Sequence, residues 1–478
     1  MTRRPEGKIS TGIAGLDEIL SGGFAQRRTY MVSGVPGTGK TILGCHFLST
    51  DTENEKSLFI SLQQTERDIC QDAANLGIDM SHVTVLDLSA SLATDSTTEL
   101  FSTKPSQNTI TNYMLKTIKN LQPNRIFIDP LTHFRFLSSS IFNFRKQVLN
   151  MLRFLNDEGI TVLFSSDFAT GTLDEDLQIL ADGIISLQRT EGRRKLIVQK
   201  MRGSDFMIGS HSFKISSTGI HVFPRLIPEE HSIEFSHEMV DTGIPGIDQL
   251  LGGGIERGTI TMVSGPSGAG KTSIGLQFMK SAANRGERSV LYAFEEEVDI
   301  VKKQAESIKT PISALVDRGM ISIQHIESLK YSPDEFALMV KEEVEEKGAR
   351  IVMIDSISGY SLSIEGENLK RYIYALGKYL QRMGVAVFLV LETSNFLNSI
   401  QISELDISFL SDNIIFLRYF EADGGLRRAV GVLKKRMGDF EKKLRGFEIT
   451  IDGIIIGEPL INFKGIFSGI PEETMVEK

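Results

Sequence analysis

Two lysine-threonine pairs, Lys40-Thr41 and Lys271-Thr272, each close a run with the spacing GxxxxGK[ST]. The first run carries Gly34, Gly37, Thr38 and Gly39, and the second Gly265, Ser267, Gly268, Ala269 and Gly270. That pattern is built to hold phosphate. Glycine lets backbone N–H groups wrap anionic oxygens, a following helix start adds partial positive charge, the lysine reaches the outer phosphates and the threonine ligates Mg²⁺. Each run stands after a strand-like stretch, Thr29 to Ser33 or Thr259 to Ser264, and before a helical one. Two matches in that context exclude chance, and ATP with Mg²⁺ is the expected ligand pair.

A metal held by one threonine and a phosphate needs a nearby carboxylate, and a strand end is the rigid place to put one. Ile126-Phe127-Ile128-Asp129 and Val352-Met353-Ile354-Asp355 both end apolar strands on an acid, which makes Asp129 and Asp355 the expected metal-side residues beside Thr41 and Thr272. Turnover also needs a group that orients and deprotonates the nucleophile. In the second half the strand after the P-loop helix runs Leu291-Tyr292-Ala293-Phe294-Glu295-Glu296, while its counterpart reads Leu58-Phe59-Ile60-Ser61-Leu62-Gln63-Gln64. Glutamine can bond a water but cannot take its proton, so the first site is expected to hold nucleotide and the second to use it. Glu295 and Glu296 are the candidate bases, with Glu296 also placed near the metal.

These motifs are positioned by a duplication. Lys40 and Lys271 stand 231 residues apart (271 less 40), and so do Gly12 and Gly243 of the stretches Thr11-Gly12-Ile13-Ala14-Gly15-Leu16-Asp17 and Thr242-Gly243-Ile244-Pro245-Gly246-Ile247-Asp248. The expected organisation is a first domain over 1–228, a linker over 229–237 where Pro228, two glutamates and two histidines break the strand pattern, and a second domain over 238–478. Within each half, short apolar runs alternate with helical spacing. In the first half these are Arg28 to Ser33, Ser57 to Leu62, Arg125 to Asp129 and Thr161 to Ser165, with Ile110, Met114, Leu115, Ile118 and Leu121 forming a crossover helix. The pattern predicts an α/β fold: two tandem RecA-like domains, each a mostly parallel sheet flanked by helices. Each half then ends in hairpin-like strands, Gly183 to Gln188 with Lys195 to Lys200, and Asn413 to Tyr419 with Arg428 to Lys434 around Asp423-Gly424-Gly425.

Composition narrows the class of partner. The 478 residues are 41% apolar and 24% charged, which supports a large core, and the net charge of −9 argues against a chain devoted to a phosphate backbone. Cys45 and Cys70 are the two cysteines, too few for a disulfide framework and not spaced for zinc. With no apolar run long enough to span a bilayer, a cytoplasmic protein without membrane attachment is expected.

The paired TGIxGLD-type stretches, the tandem P-loops, the paired-acid position and Lys200-Met201-Arg202-Gly203-Ser204 together resemble the KaiC family of clock ATPases and autokinases, from about Ser10 to about Glu477. The resemblance implies a double-ringed homo-hexamer with ATP between neighbouring subunits. It further implies that a Lys-x-Arg pair from the adjacent subunit touches the terminal phosphate: Lys200 and Arg202 in the first half, Lys434 and Arg436 in the second. It implies autophosphorylation ahead of the strand that begins Asp412-Asn413-Ile414-Ile415, with Ser408 as the phosphoacceptor, Phe409 where the family often has threonine, and Ser403 as a farther candidate. Adjacent acceptors, and with them a two-step cycle, are therefore not expected. Because the chain stops at Lys478, soon after Ile466-Phe467-Ser468-Gly469-Ile470-Pro471, dependence on KaiA is not expected, while a KaiB-like partner on the first ring remains open because Asp95 to Asn108 is not readable against the family.

Two other readings stand beside this one. A RecA-like DNA-handling ATPase would need a basic loop lining a pore, and Arg193-Arg194-Lys195 and Lys434-Lys435-Arg436 are the compact basic runs, more simply explained as hairpin charges or contacts to a neighbour. A nucleotide-gated signalling scaffold would need no turnover, against which Glu295, Glu296, Lys434 and Arg436 all count.

Overall fold

The protein is described by a computed structural model covering residues 7–50, 55–92, 107–138, 140–167, 175–190, 192–364, 369–393, 407–422, 424–451, 453–461, 463–464, 466 and 472–473. It divides into two compact units, Met1–Arg225 and Leu226–Lys478. In the first unit the elements that matter are β1 (Thr29–Gly34), α1 (Lys40–Ser49), β2 (Ser57–Ser61), α2 (Glu66–Asn75), β3 (Val83–Asp87), α3 (Gln107–Leu121), β4 (Arg125–Asp129), α4 (Ile141–Asp157) and β5 (Thr161–Asp167). Four strands complete it: β6 (Gly183–Thr190), β7 (Arg193–Met201), β8 (Ser210–Ser216) and β9 (Gly219–Phe223).

These strands form one nine-stranded sheet in the order β9-β8-β7-β6-β1-β5-β4-β2-β3. From β6 to β3 every pairing is parallel, and β6 to β9 are joined antiparallel. Burial on both faces explains why β1 reads as a continuous apolar run. Tyr30 and Val32 face one core with Leu43 and Phe47 of α1, whereas Met31 faces the other with Phe144, Val148 and Leu152 of α4. Those α4 residues recur on one helical face, and Ser140 starts the helix by accepting the Asn143 N–H at 3.2 Å. The crossover helix expected from Ile110 to Leu121 is α3, with Met114 and Ile118 in the same core.

The second unit repeats the plan through β10 (Ile260–Gly265), α5 (Lys271–Asn284), β11 (Arg288–Ala293), α6 (Val298–Ser307), β12 (Ile321–His325), α7 (Pro333–Glu345), β13 (Ala349–Asp355), α8 (Leu369–Arg382) and β14 (Ala386–Glu392). It closes with β15 (Asn413–Ala422), β16 (Gly425–Lys435), β17 (Arg445–Thr450) and β18 (Gly453–Pro459). Its sheet, β12-β11-β13-β14-β10-β15-β16-β17-β18, has the same order as the first read from the other edge. Each unit is therefore a RecA-like α/β domain with a mostly parallel sheet, and the hairpin strands extend further than their apolar cores suggest.

The residues expected to link the halves lie in the second unit and pack on it. Ile233 donates its N–H to Arg382 O at 3.2 Å, and Arg382 Nη1 donates to Pro228 O at 3.2 Å. The Phe235 ring fills the space that side chains would need at Gly258 and Gly384. The polar composition that suggests a free tether conceals one aromatic anchor.

Candidate nucleotide sites

Each P-loop leaves the sheet at the carboxyl end of its central strand and enters a helix through a left-handed glycine, Gly39 at φ +106° or Gly270 at φ +107°. No larger residue suits that position: a Cβ would lie 2.9 Å from Ile215 Cδ1 in the first unit and 2.5 Å from Ile449 Cδ1 in the second. The loops line cavities of about 570 Å³ and about 240 Å³ respectively. Gly37, Gly39, Lys40 and Thr41 line the first, and Ser267, Gly268, Gly270, Lys271 and Thr272 the second. Thr38 and Ala269 are turned inward instead. Both side chains are fully buried, and their N–H groups donate within the loop to Val35 O and Pro266 O, each at 3.3 Å.

The expected metal-side pairs are assembled. Thr41 Oγ1 donates to Asp129 Oδ2 at 2.5 Å, and Thr272 Oγ1 donates to Asp355 Oδ2 at 2.6 Å. Asp129 also accepts from Ser165 at the opposite oxygen, where the equivalent of Ser165 in β14 is Val390. Burial pushes the Asp355 carboxyl up to about 6, against the Thr272 hydrogen bond and with a further push from Glu296. Burial raises Asp129 as well, opposed by the Ser165 and Thr41 hydroxyls and by Lys40. A carboxylate buried at this cost suits a site completed by a cation. Among the described residues no group of three or more His, Cys, Asp and Glu side chains could hold a metal by itself. Such a pairing fits Mg²⁺, which keeps waters and takes one or two protein ligands plus nucleotide phosphate; Thr41 with Asp129, and Thr272 with Asp355 and Glu296, would hold it.

Backbone register fixes the correspondence at the base position. Ser61 pairs with Asp129 and Ala293 with Asp355, and the next residue of each strand, Leu62 or Phe294, donates to the acid's carbonyl at 2.9 and 2.7 Å. Gln63 therefore stands where Glu295 stands, and Gln64 where Glu296 stands. Both pairs line their cavities. Ser356 Oγ donates to Glu295 Oε1, Gln304 Nε2 donates to Glu296 Oε1 at 2.9 Å, and Glu296 Oε2 is buried with no hydrogen-bond partner. That oxygen is the open acceptor in the second cavity.

Lys200, Arg202, Lys434, Arg436 and Ser408 lie elsewhere. Lys200 pairs with Ile184 and Lys434 with Ile414, near the starts of β6 and β15, whereas the P-loops leave the far ends of β1 and β10. Through these pairings Lys200 is level with Met31 and Lys434 with Met262, three residues short of Gly34 and Gly265, which at about 3.3 Å per residue separates the levels by roughly 10 Å. Lys200 Nζ donates to Gln178 O and Ala181 O at 2.9 and 2.6 Å, and Lys434 Nζ to Ser408 O and Ser411 O at 3.2 and 2.6 Å. Arg202 faces Asp182 at 3.8 Å and Arg436 faces Asp412 at 3.0 Å. Burial, then the adjacent arginine, lowers the pKa of both lysines, as expected of cations held close together. None of these groups lines the cavity of its own P-loop. Ser403, Asp423, 95–106, 467–471 and Lys478 lie outside the described residues.

Three cavity residues are not picked out as such on sequence, where Arg194 reads only as part of a basic hairpin run. Arg194 lines the first cavity, and its counterpart on β16, Arg428, stacks over Tyr419 at 5.4 Å and reaches Gly268 O at 3.5 Å. Asp167 and Glu392 hold equivalent places, opposite Gly34 and Gly265 in the sheet, and each lines its cavity. Matching the two hairpins residue by residue would have found Arg194; nothing local marks the two acids.

Two P-loops of this construction, each above a threonine-aspartate pair on a mostly parallel sheet, define a tandem RecA-like P-loop nucleoside-triphosphate-binding protein. The chain belongs to the KaiC ATPase family, whose description "ATPase: KaiC" matches residues 9–227 and 240–461. Among curated relatives, the circadian clock oscillator protein KaiC of Thermostichus vulcanus is 26% identical over 489 residues, covering 98% of this chain and 93% of that protein. The protein of the same name from Acaryochloris marina is 25% identical over 489 residues (98% and 92%), and that of Prochlorococcus marinus strain MIT 9313 is 26% identical over 488 residues (97% and 95%). No helix among the described residues is long and apolar enough to cross a membrane.

Proposed function

We propose that this chain is an ATP- and Mg²⁺-dependent, double-ringed homo-hexamer in which the first domain, within 1–228, retains nucleotide for assembly and the second, within 238–478, hydrolyses ATP and phosphorylates Ser408. The observation that carries the reading is the register equivalence of Gln63-Gln64 with Glu295-Glu296. Lys40, Thr41 and Asp129 match Lys271, Thr272 and Asp355, and only the second unit has carboxylates at the base position. In the transfer step, the Ser408 hydroxyl oxygen bonds to the terminal phosphorus as the bond to the β-phosphate oxygen breaks. The proton passes to Glu295 or Glu296, and ADP leaves.

The position of Ser408, Lys434 and Arg436 at the sheet end away from their own P-loop supports transfer between subunits. Cations supplied there by a neighbour would offset charge building on the transferred group. A ligand bound only at assembled interfaces stabilises the ring by mass action, so a first site that cannot turn over favours a persistent hexamer. A KaiB-like partner on the first ring remains open. Membrane and nucleic acid are not expected partners, and a cytoplasmic location is in keeping with these roles.

Incubation with γ-labelled ATP and Mg²⁺, followed by phosphosite mapping, tests the assignment. Label on Ser408, lost in Ser408→Ala and in Lys271→Ala, is the expected result. ADP release without protein-bound label would leave an ATPase and remove the kinase, no ADP from either domain would favour the scaffold, and strong stimulation by single-stranded DNA would favour the DNA-handling class.

A further inference from the structure

In the first unit the P-loop lysine already has an anionic partner. Lys40 Nζ lies 2.9 Å from Asp167 Oδ1, and it also donates to Gly34 O at 2.8 Å and Val35 O at 3.3 Å. Asp167 is the last residue of β5 and pairs with Gly34, so the parallel register delivers its carboxylate to the point where the P-loop begins. The lysine side chain is 8% exposed and that of Asp167 36%, so the ion pair sits at the cavity wall with its acid on the open side. Glu392 holds the same place in the second unit and lines its cavity, but Lys271 donates to Pro266 O at 2.8 Å and makes no direct ion pair with Glu392 among the described residues. One methylene separates the two acids, and only the shorter one closes on its lysine.

Terminal phosphates of a nucleotide need the same ammonium group. A carboxylate within ion-pair distance of it competes for the lysine before binding and repels the phosphates afterwards. We propose that Asp167 is an exchangeable counter-ion for Lys40, displaced by the β- and γ-phosphates of ATP, and so a positioning residue that limits how tightly the first site holds its nucleotide. The proposal rests on the first site being an ATP site. It gives that site an adjustable grip independent of hydrolysis, which the second site, with its longer acid set apart from the lysine, lacks.

The test uses the full chain carrying Lys271→Ala, so that nucleotide binding reports the first site, and measures ATP and AMP binding by equilibrium dialysis. Asp167→Asn should tighten ATP on the order of tenfold and leave AMP, which has no β- or γ-phosphate, unchanged. Asp167→Glu, which keeps the charge but sets it on the longer side chain found at Glu392, should fall between the parent and Asp167→Asn. Asp167→Ser serves as a second neutral variant if the asparagine protein does not fold. Unchanged or weaker ATP binding in the neutral variants would overturn the counter-ion role, and equal tightening of AMP would show a general opening of the cavity instead. Absence of ATP binding in the parent would remove the first-site reading itself, a result distinguishable from either.

Discussion

Glutamine and glutamate have nearly the same size, so Gln63 and Gln64 can occupy the places of Glu295 and Glu296 without disturbing the strand. What changes is proton affinity. An amide oxygen accepts a hydrogen bond and returns it, whereas a carboxylate can keep the proton that a nucleophile must lose. Gln63 is exposed and Gln64 half-buried, so restoring both acids asks little of the packing. With the second site silenced by Lys271→Ala, Gln63→Glu combined with Gln64→Glu should raise ADP production by the first domain on the order of 10² to 10⁴-fold. Turnover measured at saturating ATP and Mg²⁺ checks this. An unchanged rate with normal ATP binding would show that the pair is not the base position.

The elements that carry the P-loops pack with different tolerance. A Cβ added at Gly44 of α1 would lie 2.0 Å from the Phe127 ring on β4, and one added at Gly275 of α5 would lie 2.3 Å from Met353 Sδ on β13. Phe127 is fully buried and set edge-on against Phe59 at 5.1 Å, so its ring has nowhere to turn. A thioether can change rotamer. Gly44→Ala should therefore destabilise the first unit by about 1–3 kcal/mol through overpacking. Gly275→Ala should come out near neutral, because alanine's helix propensity offsets a small repacking cost. Chemical denaturation of the two variants, compared with the parent, measures the contrast, and equal losses would contradict it.

The same scale explains what the sequence could disclose. Gly37, Gly39, Lys40 and Thr41 announce themselves because the phosphate loop is a local structure, closed within eight residues. Asp129 and Asp355 are legible because a buried parallel strand ends on them. Asp167 reaches Lys40 through a pairing of β1 with β5, whose partners are far apart in the chain and are chosen by tertiary packing rather than by local pattern. In the 229–237 stretch polar residues dominate the composition, while the packing of Phe235 against Gly258 and Gly384 depends on tertiary contacts that no local pattern shows.

At the scale of the whole molecule the two units repeat one sheet order, and in both the Lys-x-Arg pair, Lys200 with Arg202 or Lys434 with Arg436, lies towards the strand end away from the phosphate loop. The proposed function requires that a site built that way be completed by a second copy. On the proposed reading, head-to-tail association would supply those cations, and such heterologous interfaces close into rings when the rotation permits. The arrangement predicts complementation. Lys271→Ala removes the lysine that grips the phosphates, and Lys434→Ala with Arg436→Ala removes the neighbour's cations, so each protein alone should lose second-domain turnover. In rings assembled from equal amounts of the two, an interface works when a subunit with an intact P-loop faces one with intact cations. Random mixing makes that combination about a quarter of the interfaces. Disassembly by nucleotide removal, mixing and reassembly with ATP should restore activity towards that fraction, read as ADP release and as phosphate on Ser408. Activity that stays at the level of the separate variants would place Lys434 and Arg436 outside the neighbouring site. Undiminished activity in Lys434→Ala with Arg436→Ala alone would show that the second site is complete within one chain.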